Sequence, residues 1–314
     1  VVTALSFLSG LAAYVPILGI VWLVRWLDRY DREPWSLIFL CFLWGSMGAT
    51  TIAGTLNYLA HVTLPGGFGG FVVPVLVAPL TEEPAKAAIL LLLCRLRPFD
   101  NVTDGFVYGA VTGLGFAAGE NAGYFGAAAQ MGDASQWGSL VFVRTFWTAS
   151  LHACATSIVG AALGSMRYHP GVAPKRAWRA LLLAMGLHGA WNLQAVTDSP
   201  LLQAMGFFGI PLLLTVLFVI LQVCLWREHK QIRAQLEAES SQGTLPKEHV
   251  PWLSSWIRRD WGDWVPEGVD RKEYIRLATR LAFRRQQITT DPTSDFLKRE
   301  IKKLRVDLRV LLGK

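Results

Sequence analysis

The sequence predicts an all-α, polytopic membrane protein: seven transmembrane helices followed by a small helical, amphipathic C-terminal tail. Three observations predict it. The 314 residues are 52% hydrophobic and only 17% charged, with a mean hydropathy of +0.35, whereas a soluble domain carries roughly 25% charge. The charge is unevenly divided, with 21 Asp, Glu, Lys and Arg in residues 1–226 and 32 in the last 88 residues. Seven apolar stretches are long enough for a bilayer core of about 30 Å, which takes roughly 20 helical residues. A soluble enzyme with one large core is thereby excluded. The net charge of +7 gives no argument for a nucleic-acid partner, because +6 of it belongs to the tail. There it suits anionic lipid headgroups.

The seven stretches lie at about 4–26, 35–60, 71–93, 105–129, 139–165, 177–197 and 201–226. The first lacks the basic flank of a signal peptide and runs past 20 residues. Connectors set the orientation through their Lys and Arg. Arg25, Arg29 and Arg32, then Arg95 and Arg97, then Arg167, Lys175, Arg176 and Arg179 fill alternate connectors. The others, 61–70, 130–138 and 198–200, contain no Lys or Arg. This puts the N-terminus outside and the C-terminus in the cytosol. Cys41, Cys94, Cys154 and Cys224 sit in or beside apolar stretches without C-x-x-C spacing, so neither a disulfide framework nor a cysteine zinc site is expected.

Domain organisation follows as a transmembrane domain over 1–226, a linker over 227–249 and a Trp-rich basic tail over 250–314. In the tail, Trp252, Trp256, Trp261 and Trp264 interleave with Arg258 and Arg259, as in an interfacial amphipathic segment. Leu297, Ile301, Leu304, Leu308 and Leu311 form a helix seam, predicted to pack on a helix around 271–286.

Ionisable residues inside an apolar span are costly and point to function. The third stretch holds Thr81-Glu82-Glu83-Pro84-Ala85-Lys86, with Lys86 three and four residues from the two acids. Pro74, Pro79 and Pro84 remove backbone donors, so the helix is predicted to break or kink just before the acids. The fourth reads Phe116-Ala117-Ala118-Gly119-Glu120-Asn121, and Gly109, Gly113, Gly115, Gly119 and Gly123 give it small faces for close helix approach. The fifth carries His152 between Thr148 and Thr156, with Arg144 near its outer end. The sixth carries His188 and Asn192, which project together at i and i+4. His61, His169, His229 and His249 fall in loops or the tail and are assigned no role. At about 1.5 Å per residue, Glu82, Glu120, His152, His188 and Asn192 fall in one slab, from the midplane of a ~30 Å core outward.

The chain has no H-E-x-x-H zinc motif, no G-x-S-x-G elbow and no mid-membrane pair of aspartates. What remains is water activated by a carboxylate. Glu82 beside Glu83 supplies the general base, and His188 with Asn192 donates to a tetrahedral oxyanion. Alternatively, Glu120, His152 and His188 hold a zinc ion as a His₂Glu set with an open water position. Cofactors are therefore none or Zn²⁺, with the metal-free version slightly preferred. A proton- or ion-coupled transporter would use the same acids and broken helix, but no internal repeat is visible.

Glu82-Glu83-Pro84-Ala85-Lys86 matches E-E-x-x-K, and Phe116 to Asn121 matches F-x-x-x-E-N. With His152 on one span and His188-x-x-x-Asn192 on the next, residues 1–226 resemble the PrsW family of intramembrane proteases. That family is distantly similar to the CAAX prenyl endopeptidases, which carry histidine where Glu120 stands. The resemblance implies a peptidase in a bacterial cytoplasmic membrane that cleaves single-pass membrane proteins of the anti-sigma-factor kind. It implies Glu82, Glu83, Glu120, His152, His188 and Asn192 as catalytic residues, supported by Lys86 and Asn121. The tail lies outside the resemblance.

Overall fold

The computed structural model describes residues 2–30, 32–65, 69–96, 99, 101–167 and 172–313; Arg97 and His169, named above, lie outside them. Every regular element among the described residues is helical. The chain divides into two compact units, Val1–Asp28 with Glu33–Val219, and Arg29–Arg32 with Ile220–Lys314.

In the first unit, α1 (Val2–Leu27) turns Leu5, Ser9, Ala13, Ile17 and Val21 inward, one residue per turn. Phe7, Leu11, Val15, Leu18 and Trp22 face outward. An apolar exterior of this extent marks a surface that meets lipid or protein rather than water. α2 (Trp35–Leu43) and α3 (Thr50–Thr63) are joined without a break by a π-helical turn, Trp44–Ala49. A second π turn, Val73–Val77, joins α4 (Gly69–Val72) to α5 (Ala78–Leu93), and a third, Arg144–Thr148, joins α7 (Ala134–Val143) to α8 (Ala149–Gly164). Between them lies α6 (Val102–Gln130), started by a capping box between Asn101 and Asp104. α9 (Ala173–Val196) and the long α10 (Pro200–Ser241) follow.

Among the described residues four helical runs, Val2–Leu27, Trp35–Thr63, Ala134–Gly164 and Pro200–Ser241, are long and apolar enough to cross a membrane. The other three predicted stretches, 71–93, 105–129 and 177–197, are helical as well.

α6 is the axle of this unit. A Cβ on Gly109 or Gly113 would meet the backbone of Thr156 or His152 on α8, and one on Gly115 or Gly119 would meet the backbone of Phe42 or Ser46. The two glycine pairs therefore let one helix touch neighbours on both sides. Gly123, expected to share this packing, meets nothing within 4 Å.

In the second unit, residues 227–241, predicted as linker, continue α10 as helix. The reason is an inward stripe, Leu221, Leu225, Ile232 and Leu236, that runs on beneath charged outer positions. After a short irregular stretch come α11 (Val250–Leu253), α12 (Arg271–Thr290) and α13 (Asp295–Leu311). Leu297, Ile301, Leu304 and Leu308 are buried, as their spacing predicts, and Leu311 is half-buried. The four tail tryptophans do not share one interfacial face. Trp252 and Trp264 stack on each other, and Trp264 also packs on His249 and Tyr274, leaving Trp256 and Trp261 exposed. Arg29 lies over Trp256 at 4.4 Å, and Tyr30 donates to the Ser254 carbonyl.

Candidate active site

The site begins with proline chemistry. Across the π turn the amide of Ala78 bonds the carbonyl of Val73, five residues back. The next residue, Pro79, has no N–H, so the carbonyl of Pro74 loses its helical donor. Asn192 on α9 supplies one, its Nδ2 donating to Pro74 O at 2.7 Å. The predicted break is thus a widening of the helix, and Asn192 bolts α9 to it. One of its two amide N–H groups is thus engaged on the backbone, beside the predicted role with His188 at an oxyanion.

One and two turns later α5 presents its acids. Glu82, Glu83 and Lys86 are all buried, and Lys86 is 0% exposed. Such a cation needs an anion and hydrogen bonds. Lys86 Nζ lies 2.6 Å from Glu83 Oε1 and 4.0 Å from Glu82 Oε2, donates to His152 Nδ1 at 3.0 Å, and sits 4.3 Å from the Phe116 ring centre. The phenylalanine of F-x-x-x-E-N therefore caps the lysine of E-E-x-x-K.

The two histidines meet edge to face, ring centres 4.9 Å apart. His188 Nδ1 lies 2.8 Å from Glu83 Oε1, and His188 Nε2 lies 3.7 Å from Glu82 Oε2. A carboxylate shared with Lys86 accepts, so His188 carries its proton on Nδ1 and turns the lone pair of Nε2 towards Glu82. Glu82 Oε1 accepts from Asn57 Nδ2 at 3.1 Å, and Asn57 is itself held by Thr81 at 2.7 Å. Glu82 Oε2 is buried and has no hydrogen-bond partner. Two acceptors thus face each other across a short gap.

Glu120 stands apart from that gap. It meets His152 Nε2 at 3.2 Å and Arg144 Nη2 at 3.0 Å, and Asn121 Oδ1 accepts from Arg144 Nε at 2.8 Å. The group whose ligand atoms all lie within 4.8 Å of one another is Glu82, His152 and His188. This group differs from the predicted set of Glu120, His152 and His188 in its carboxylate: helical depth fixes a residue's level but not which way it faces. The group Glu82, His152 and His188 has the donor chemistry of a zinc-type site. It is a His₂Glu donor set whose Glu82 oxygen lacks a partner and whose His188 is backed by the carboxylate of Glu83, and His152 would offer a ring nitrogen to the ion by releasing Lys86 or Glu120.

Sequence reasoning did not find Asn57, Tyr124 or the pairing of Arg144. Asn57 sits near a span end, where a polar residue is cheap, and only its i+24 and i+25 contacts reveal it.

A helical bundle with an apolar exterior that buries a Glu-Glu-Lys cluster, two histidines and two facing acceptors has the equipment of a protease working inside the membrane. The chain belongs to the family described as PrsW family intramembrane metalloprotease, which matches residues 33–224. It is 31% identical over 187 residues to Protease PrsW of Bacillus subtilis (strain 168), covering 59% of this chain and 79% of that protein. It is 37% identical over 117 residues to Protease PrsW of Clostridioides difficile (strain 630), covering 36% and 49%. No solved structure matches. The chain is an integral membrane peptidase rather than the ion-coupled transporter weighed above.

Proposed function

We propose that the chain hydrolyses a peptide bond of single-pass membrane proteins, of the anti-sigma-factor kind, with a water molecule activated between Glu82 and His188. The observation that carries this is the pair of buried acceptors, Glu82 Oε2 and His188 Nε2, 3.7 Å apart. Water, with two protons to give, suits both. Glu82 Oε2 takes one proton as the water oxygen attacks the carbonyl carbon. Asn57 and Thr81 keep the other carboxylate oxygen occupied, so the reacting one stays oriented. Glu83 fixes the His188 tautomer, and Lys86 offsets the charge of the paired acids. Collapse of the tetrahedral intermediate breaks the C–N bond, and the proton passes from Glu82 to the leaving amine. Glu82, His152 and His188 would also hold a zinc ion, which supplies Lewis-acid polarisation of water and carbonyl when bound.

In this reading residues 1–226 form the protease domain with seven spans, the N-terminus outside and the tail in the cytosol. Exposed Trp256, Ile257, Arg258 and Trp261 face anionic lipid headgroups. They sit on a loop pinned to Arg29 and Tyr30, two and three residues beyond the end of α1.

The test is cleavage of a co-reconstituted single-pass reporter by wild type and Glu82→Gln, with and without chelator. The amide is isosteric but cannot take the proton, so cleavage is expected to vanish while the protein stays folded. Near-normal turnover by Glu82→Gln would remove Glu82 from the chemistry. Chelator-sensitive wild type restored by zinc would assign the ion to the site.

A further inference from the structure

We propose that Arg144 is a positioning residue that fixes the His152 ring by clamping Glu120 and Asn121; this rests on the reading of the cluster as the hydrolytic site. Arg144 opens the π turn of the run Ala134–Gly164, two turns before His152. Its guanidinium crosses to α6, where Nη2 donates to Glu120 Oε2 at 3.0 Å and Nε donates to Asn121 Oδ1 at 2.8 Å. The Tyr124 ring centre lies 3.7 Å from its Cζ. Glu120, Asn121 and Tyr124 thus form a three-sided seat one helical turn long, and both polar residues of F-x-x-x-E-N belong to it.

The seat acts on His152 through Glu120. Lys86, as an ammonium, has only protons to give and lies 3.0 Å from His152 Nδ1, so Nδ1 accepts. The ring proton is then on Nε2, which faces Glu120 Oε2 at 3.2 Å. His152 is gripped at both nitrogens, by α5 directly and by α6 with Arg144 behind it. The seat is also the open side of the site. The side chains of Glu120 and Arg144 are 19% and 12% exposed, against at most 4% for Glu82, Glu83, Lys86, His152 and His188. Without the clamp, Glu120 has room to swing away. Lysine would keep the charge but lose both the two-pronged contact and the stacked plane.

The experiment is a double-mutant cycle on the full-length protein in liposomes, with a reporter carrying one leucine-rich transmembrane segment. Arg144→Lys and Asn121→Ala are each expected to lower kcat roughly tenfold, the loss of one charge-assisted hydrogen bond. KM should stay within about twofold, and the double variant should be no worse than either single one, because both remove the same clamp. In parallel, ¹⁵N-histidine NMR of the metal-free protein, assigned with His152→Gln, should report an Nε2-protonated His152 in both wild type and Arg144→Gln, because Lys86 keeps Nδ1 as acceptor, with an Nε2–H signal that is sharp and protected in wild type and broadened by exchange with water in Arg144→Gln. An additive, roughly hundredfold loss in the double variant would overturn the proposal. So would a raised KM at unchanged kcat, which makes Arg144 a substrate contact, or a His152 signal indifferent to Arg144→Gln. If wild type cleaves nothing, the hydrolytic reading fails, and the NMR arm still decides the role of Arg144.

Discussion

At the scale of single residues, the site is governed by which nitrogen carries a proton and which oxygen lacks one. Glu83 is tied through Oε1 to Lys86 and His188 and, like Glu82, keeps an unpartnered Oε2, but it is the Oε2 of Glu82 that lies 3.7 Å from His188 Nε2. In the proposed mechanism adjacent glutamates divide the work, one holding the frame and one facing the reaction. Asn192 holds the Pro74 carbonyl. Asn192→Ala strands the Pro74 carbonyl, and leaving a buried group unsatisfied costs about 1–3 kcal/mol. The expected outcome is a lowered Tm in detergent together with a loss of kcat, since His188 sits one turn away on the same helix. A drop of about 10²–10³ in kcat at unchanged Tm, the signature of a lost oxyanion donor, would instead return Asn192 to the reaction.

At the scale of helices, two devices bring the residues together: π turns that rotate a face by one residue, and glycines that let backbones touch. π turns are enriched at functional sites, and here one lies just before Glu82 and another begins with Arg144. Gly113 faces the carbonyl of His152 itself. Gly113→Ala forces a methyl group into that backbone, an overpacking that costs typically about 1–3 kcal/mol. It also pushes α8 away from α6, and a misplacement of about 1 Å in the reacting geometry costs on the order of 10²-fold in rate. Tm and kcat should fall together. Gly123→Ala is the control: with open space around it, replacing a mid-helix glycine should be neutral or stabilise by roughly 0.5–1 kcal/mol. Equal loss in both variants would mean that helix propensity, not contact, sets the effect.

At the scale of the whole molecule, the legible features are those whose alternative is expensive. Glu82, Glu83, Lys86, Glu120 and the two histidines stood out because charge or polarity inside an apolar run demands a reason. Asn57 and Arg144 did not, because polar groups near a span end are cheap until a contact shows their use. Rotation was equally illegible: counting residues put Glu120 and Glu82 at one depth, and only the packed helices turn Glu82, not Glu120, to both histidines. The helical form of residues 227–241 is hidden in the sequence because the C-terminal half of α10 wears charge on one face, which masks the stripe through Ile232 and Leu236. That half-helix carries the last prediction. Glu239 is buried and accepts from Arg305 at 2.6 and 3.0 Å, from Thr244 at 2.7 Å and from Arg285. Burial raises its pKa, but the hydrogen bonds from Arg305, Thr244 and Arg285 outweigh it and hold the carboxyl below its ordinary value of 4.5. The folded pKa is then below the unfolded one. The stability this carboxylate contributes is complete above the unfolded value and is lost as pH falls through the folded value. Glu239→Gln removes that contribution at every pH. Amide exchange of α12 and α13, compared between wild type and Glu239→Gln at matched pH, should therefore show greater protection in wild type at neutral pH. The difference should hold down to about pH 5 and shrink as Glu239 is protonated. A difference that persists undiminished in strong acid would mean that the shape of the side chain, and not its charge, ties α10 to the two helices beneath it.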